Sequence, residues 1–189
     1  MESLMKTKHI LFTSLAAALA ITIVGCGQGS SPTPDSSSPA ASAENLIPQE
    51  LVVSDQLEGA IGVVDARKDV QEGKEAVVTG FIGGRAEPFV EGRAIFTLAD
   101  SKAIIRCDVD DDDHCATPWD ACCDDPAKIK ASIATVQIVD GDGMVLKQTL
   151  KDFQGIKPGS TVSVKGTIAP GSTKDALVIN ADQIHVASK

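Results

Sequence analysis

The chain has no tyrosine and a single tryptophan, and aromatic residues make up only 3% of it. A surface that stacks nucleic-acid bases needs several aromatic faces, so this scarcity argues against a single-strand-binding role. Charge argues the same way: 17 basic residues stand against 26 acidic ones, a net of −9, whereas binding a phosphate backbone draws its energy from lysine and arginine. With three histidines and no serine in a G-x-S-x-G elbow, no hydrolase constellation is in view. The missing C-x-x-C removes the usual signature of a thioredoxin-like redox site. Nor does any apolar run reach the roughly 20 residues of a spanning helix.

The longest such run, Ile10 to Val24, has 15 residues and follows a small basic head of Lys6 and Lys8, the layout of a secretory signal. It ends in Ile23-Val24-Gly25-Cys26, which resembles the lipobox of bacterial lipoproteins. That resemblance implies residues 1–25 as a cleaved signal peptide and Cys26 as the lipidated first residue, stably anchored only because several acyl chains share it. Residues 26–44 then form a Ser/Pro-rich tether too poor in apolar side chains to fold. Loss of residues 1–25 takes away two lysines and one glutamate, leaving 15 basic against 25 acidic residues and a net of −10.

The remaining part, about 140 residues, suits one domain with one core. Residues 45–72 read as a lead-in with a short helix at Gly62 to Val70; a second short helix is expected at 127–134. Alternation predicts strands at Glu75–Ile82, Arg93–Leu98, Ala103–Cys107, Thr135–Val139, Met144–Leu150, Thr161–Ile168 and Ala176–Val186. "DGDG" (Asp140 to Gly143) is a hairpin turn by composition. An internal echo stands out. "GKEAVVTGFI" (Gly73–Ile82) and "GSTVSVKGTI" (Gly159–Ile168) place valine five residues and glycine seven residues after the first glycine. A glycine inside a strand marks a bend or a close backbone approach, which a small coiled barrel needs.

These two strands, with "AIFTLAD" between them and "ALVINADQIHV" at the end, resemble the OB-fold pattern. The resemblance covers Gly73 to Val186 and implies a mainly β, small antiparallel barrel over 73–189, with one or two short helices and a cysteine-rich insert at 107–126. A small β-sandwich is the alternative. On this map Cys107 ends the third strand and the insert leads toward the fourth. In the exported OB-fold haem chaperone a histidine is followed by a tyrosine a few residues later; here His185 is followed only by "VASK", so that activity does not carry over.

The insert, "CDVDDDDHCATPWDACC", concentrates Cys107, Cys115, Cys122 and Cys123 with His114, the lone Trp119 and, before its proline, five aspartates, Asp108 and Asp110 to Asp113. In an oxidising compartment four thiols imply two disulfides, with Cys107 and Cys115 each joined to one of Cys122 and Cys123, because adjacent cysteines rarely bond to each other. Metal ligation by Cys107, His114, Cys115, Cys122 and Cys123 suits zinc or copper(I), although C-x7-C-x6-C-C lacks the short knuckle spacing of structural zinc sites. An EF-hand reading of Asp108, Asp110 and Asp112 fails: Asp113 stands where glycine is needed and Trp119 where a glutamate belongs. In "TPWD", Pro118 restrains the loop, and Trp119 either seats its indole N–H on an acceptor or stacks a ligand. The "C-x-T-P-W-D-x-C-C" segment on an OB-like domain is similar to a group of uncharacterised bacterial lipoproteins, from which no activity follows.

The expectation is a non-enzymatic binding module lipid-anchored in the cell envelope. It faces the periplasm or exterior, carries a disulfide-stabilised loop and no cofactor, and engages an envelope protein or small ligand. The alternatives are a zinc- or copper-binding lipoprotein and, against the charge, an OB-fold nucleic-acid binder.

Overall fold

The computed structural model describes residues 46–107 and 115–187. The expected signal peptide, Cys26, the tether, Asp108 to Asp113 and His114 lie outside the described residues.

Among the described residues seven strands and two short α-helices follow one another: β1 (Val52–Val53), β2 (Ile61–Gly62), α1 (Val63–Ala66), β3 (Glu75–Ile82), β4 (Ile95–Ala99), α2 (Pro126–Ala131), β5 (Ile133–Gln137), β6 (Thr161–Ile168) and β7 (Val178–Val186). Strand β3 pairs with both β4 and β6, β4 pairs with β5, β5 runs parallel to β7, and β7 returns to β6. This closes a five-stranded barrel of OB-fold-like topology, so the sandwich alternative falls away. Two outer strands, β1 on β7 and β2 on β3, extend it in parallel.

The two echoing segments are neighbours. Val78 faces Val164 and Gly80 faces Val162 in the antiparallel β3–β6 register, which puts Val78, Ile82, Val162, Val164 and Ile168 into one core. Their glycines are where backbones crowd. A Cβ on Gly80 would stand 2.2 Å from the Ala99 carbonyl oxygen, and one on Gly166 would stand 2.0 Å from that of Asn180. Gly166 also sits at the register shift between β6 and β7, where the ladder bends to close.

The lead-in caps this barrel. Ile47, Leu51, Val63 and Ala66 are buried in the main core. The helix α1 has no capping side chain of its own; instead Asp100, at the end of β4, accepts the Val64 N–H at 2.9 Å with one carboxylate oxygen. Its other oxygen accepts the N–H groups of Lys102 (2.9 Å) and Ala103 (3.2 Å).

That second bond explains a correction. Ala103–Cys107 is not a strand: Asp100 turns the chain immediately after β4, burying Ile104 and leaving Ile105 66% exposed. The insert therefore leaves between the second and third barrel strands, β4 and β5, not between the third and fourth. Met144–Leu150 is not a strand either; past the "DGDG" turn, which forms as expected, only the Val139–Val145 bridge pairs, and Leu146 and Leu150 anchor an irregular segment in the core. The helix expected at 127–134 is α2, started by the Asp125 side chain on the Ala127 and Lys128 N–H groups and stopped short because Ile133 already pairs with Ala99.

Candidate metal centre in the cysteine insert

The insert lies on the outer face of the barrel over a second, smaller core. Phe81 alternates with Gly80 and Ile82 on β3 and so points away from the barrel interior, where it packs with Ala99, Ile104 and Ala121, flanked by Ile129 and Ile133. The "TPWD" turn fastens the insert at three points. The Pro118 carbonyl accepts the Cys107 N–H (2.8 Å), the Trp119 carbonyl accepts the Gly84 N–H (2.8 Å), and the Trp119 indole N–H donates to the Ala86 carbonyl (2.9 Å). Gly83 is required beneath it, since a Cβ there would lie 2.2 Å from the Trp119 carbonyl oxygen. Trp119 is thus half-buried, with its polar handle engaged by the protein.

These anchors bring the four cysteines together. Cys107 Sγ lies 3.7 Å from Cys122 Sγ and 4.0 Å from Cys123 Sγ; Cys122 Sγ lies 3.5 Å from Cys115 Sγ and 4.0 Å from Cys123 Sγ. All four are thiols, at van der Waals separation rather than at the ~2.05 Å of a disulfide. Cys107 is buried, Cys115 half-buried, and Cys122 and Cys123 exposed. Ala121 precedes the pair with φ at 57° while its methyl is wholly buried, so a non-glycine residue is held left-handed at the point that aims Cys122 into the cluster.

Asp120 joins them. Single ligand atoms of Cys107, Cys115, Asp120 and Cys122 all lie within 4.8 Å of one another, a group that could hold a metal ion. The Asp120 carboxylate is oriented by the Thr117 hydroxyl (2.7 Å) and the Cys122 N–H (2.8 Å). Burial opposes its ionisation, but those two bonds outweigh it and hold its pKa below the ordinary value. Two of the thiols, Cys107 and Cys122, are shifted the other way. Burial pushes Cys107 up. The Cys115 sulfur, then the Asp120 carboxylate and Cys107, push Cys122 well above the usual thiol range. Cys107 and Cys122 would therefore have to give up protons to ligate a cation.

Of the candidate residues read from the sequence, the structure gathers Cys107, Cys115, Cys122 and Cys123; His114 lies outside the described residues. Asp120 was missed, although an acid two residues before a cysteine pair in a tight turn is a detectable signal. His185 sits half-buried on β7 with Nδ1 3.3 Å from the Val53 carbonyl oxygen, an outer-strand contact. Phe81, Phe89, Phe96 and Phe153 are all in or against the cores, so among the described residues they form no exposed stacking face. The chain matches no protein-family model, no curated protein and no solved structure, so the chemistry of this cluster rests on its own geometry.

Proposed function

We propose that the protein is a non-enzymatic metal-binding module that takes zinc or copper(I) at Cys107, Cys115 and Cys122, with Asp120 as the fourth donor and Cys123 beside it. One observation carries this reading. A zinc ion about 2.3 Å from each sulfur of a tetrahedral site would set those sulfurs about 3.8 Å apart. Among the three proposed sulfur ligands Cys107 and Cys122 lie 3.7 Å apart and Cys115 and Cys122 3.5 Å apart, and all four donor atoms, with the Asp120 oxygen, lie within 4.8 Å of one another. Three soft thiolates also suit copper(I), which accepts fewer ligands than zinc. The barrel acts as the scaffold and the "TPWD" anchors as the clamp. With Cys26 lipidated, the module would stand at a membrane of the cell envelope, tethered by residues 26–44.

The experiment uses the full chain purified under reductant. Metal content, cobalt(II) substitution read by thiolate charge-transfer absorption, and the emission of Trp119, the sole tryptophan, should report one ion per chain. Cys122→Ser should abolish the charge-transfer band. A metal-free protein that has lost four hydrogens by intact mass would refute it.

That outcome is the second reading, two structural disulfides, and a specific observation favours it. The contacts Cys107–Cys123 and Cys115–Cys122 are disjoint, and they select one pairing from those the sequence leaves open. Peptide mapping would then find those two bonds.

A further inference from the structure

Away from the cysteines, a cavity of about 200 Å³ opens against the outer face of β5, lined by Arg67, Arg85, Lys130, Thr135 and Asp175 among others. Three cations at one cavity are notable in a chain whose net charge is −9. Arg67 is the informative one. It is only 9% exposed, and among the described residues no carboxylate pairs with it. Its guanidinium donates from Nε to the Lys174 carbonyl (2.7 Å) and from Nη1 to the carbonyls of Lys130 (2.7 Å) and Ile133 (2.9 Å). Those bonds use three of its five N–H donors. The two on Nη2 have no protein acceptor among the described residues. Because no enclosed side-chain nitrogen or oxygen among the described residues lacks a partner, Nη2 is in contact with solvent, and Arg67 lines the cavity. A guanidinium keeps its charge at any physiological pH, and neutral carbonyls do not cancel it.

The rest of the lining fits the same ligand. Thr135 points outward from β5, between the inward Ala134 and Val136, and its hydroxyl makes no hydrogen bond among the described residues. Arg85 and Lys130 are exposed and form no ion pair among the described residues. Asp175 is the one carboxylate of the lining, and it pairs with none of the three cations.

We propose that this cavity binds a phosphate-type oxyanion, with Arg67 Nη2 and the Thr135 hydroxyl as direct donors and Arg85 and Lys130 supplying charge at the mouth. A tetrahedral oxyanion offers only acceptors, which is what two N–H groups and a hydroxyl require. The volume of about 200 Å³ leaves room for such a group together with a small substituent. Asp175 opposes it and moderates the affinity.

The test is calorimetric titration of the full chain with inorganic phosphate and, separately, glycerol 3-phosphate, against sodium chloride at matched ionic strength. Saturable one-to-one binding of either supports the proposal, and the tighter of the two shows whether the free ion or a phosphomonoester fits. Arg85→Ala and Lys130→Ala should each weaken binding ~3- to 10-fold with no change in thermal midpoint without phosphate. Asp175→Asn should tighten it ~3-fold, and Arg67→Lys, which keeps the charge but removes Nη2, should weaken it at least ~10-fold. Should Arg67→Lys fold poorly, the rim variants still decide. No saturable heat with either ligand on folded wild type, or affinity unchanged in the Arg85→Ala/Lys130→Ala double variant, overturns it.

Discussion

Asp100 offers the sharpest test of how the lead-in, the barrel and the insert are joined. Its carboxylate is 4% exposed and accepts three backbone N–H groups, one from α1 and two from the first turn of the insert. Asp100→Ala removes the three side-chain bonds and leaves Val64 and Lys102 to find water, while Ala103 keeps its bond to the Asp100 carbonyl at 3.3 Å. Hydrogen bonds to a charged group are each worth about 1.5 to 3 kcal/mol; water reaching exposed Lys102 and the carbonyl bond kept by Ala103 recover part of that, so the loss should be about 3 to 5 kcal/mol. Asp100→Asn is the discriminating companion. Its amide oxygen can keep the Lys102 and Ala103 bonds, but its NH2 group then faces the Val64 N–H, donor against donor. That variant should lose about 1.5 to 3 kcal/mol, from the α1 cap alone. Urea denaturation measures both, and for a domain of this size the alanine variant should melt about 10 to 15 °C lower. An alanine variant within about 1 kcal/mol of wild type would refute the argument, as would an asparagine variant less stable than the alanine one.

Four further outcomes follow from the same geometry. Gly166→Ala should cost at least about 3 kcal/mol in urea titration, because its Cβ would meet the Asn180 carbonyl oxygen at 2.0 Å; Gly141→Ala, with nothing within 4 Å and no positive φ, should stay within about 0.5 kcal/mol of wild type. Ala121→Gly should be close to neutral, since relief of a left-handed alanine, about 1 kcal/mol, offsets the buried methyl it gives up, whereas Ala121→Val should lower the thermal midpoint sharply. Zinc binding should tighten as pH rises, because Cys107 and Cys122 have raised pKa values and must lose protons to ligate; calorimetry in buffers of different ionisation enthalpy should register that release, and a pH-independent affinity would contradict it. Trp119→Phe should cost about 1 kcal/mol through the lost bond to the Ala86 carbonyl, read by thermal melting.

The barrel was legible where local pattern and tertiary need coincide. Thr161–Ile168 alternates strictly and carries its glycine where β6 must bend, so its predicted bounds match β6. Ala103–Cys107 alternates too, yet the side chain of Asp100 takes the N–H groups that a ladder would have used. Met144–Leu150 misleads for a related reason: Leu146 and Leu150 are buried by wrapping the core, without a partner strand that would make them a ladder. The cysteine cluster was legible as a set, since all four thiols share one short stretch. Asp120 was not, because its role depends on the turn made by Thr117 to Asp120. The Arg67 cavity left no trace at all in the sequence, its cations being drawn from α1, the β3–β4 connection and α2.

The insert leaves and re-enters the barrel at one spot. Ala99 and Ile133 face each other in the β4–β5 register, and the Asp100 N–H donates to the Ser132 carbonyl at 2.9 Å, so both ends of the excursion meet like the posts of a gate. Everything between those posts is, topologically, an oversized hairpin connection. A short turn in its place would remove the Asp100 cap on α1 and the Lys130 carbonyl that holds Arg67, and would uncover Phe81 and Ala99. The sulfur cluster is therefore carried by a single connection of the barrel, and none of Cys107, Cys115, Asp120, Cys122 and Cys123 is drawn from a strand.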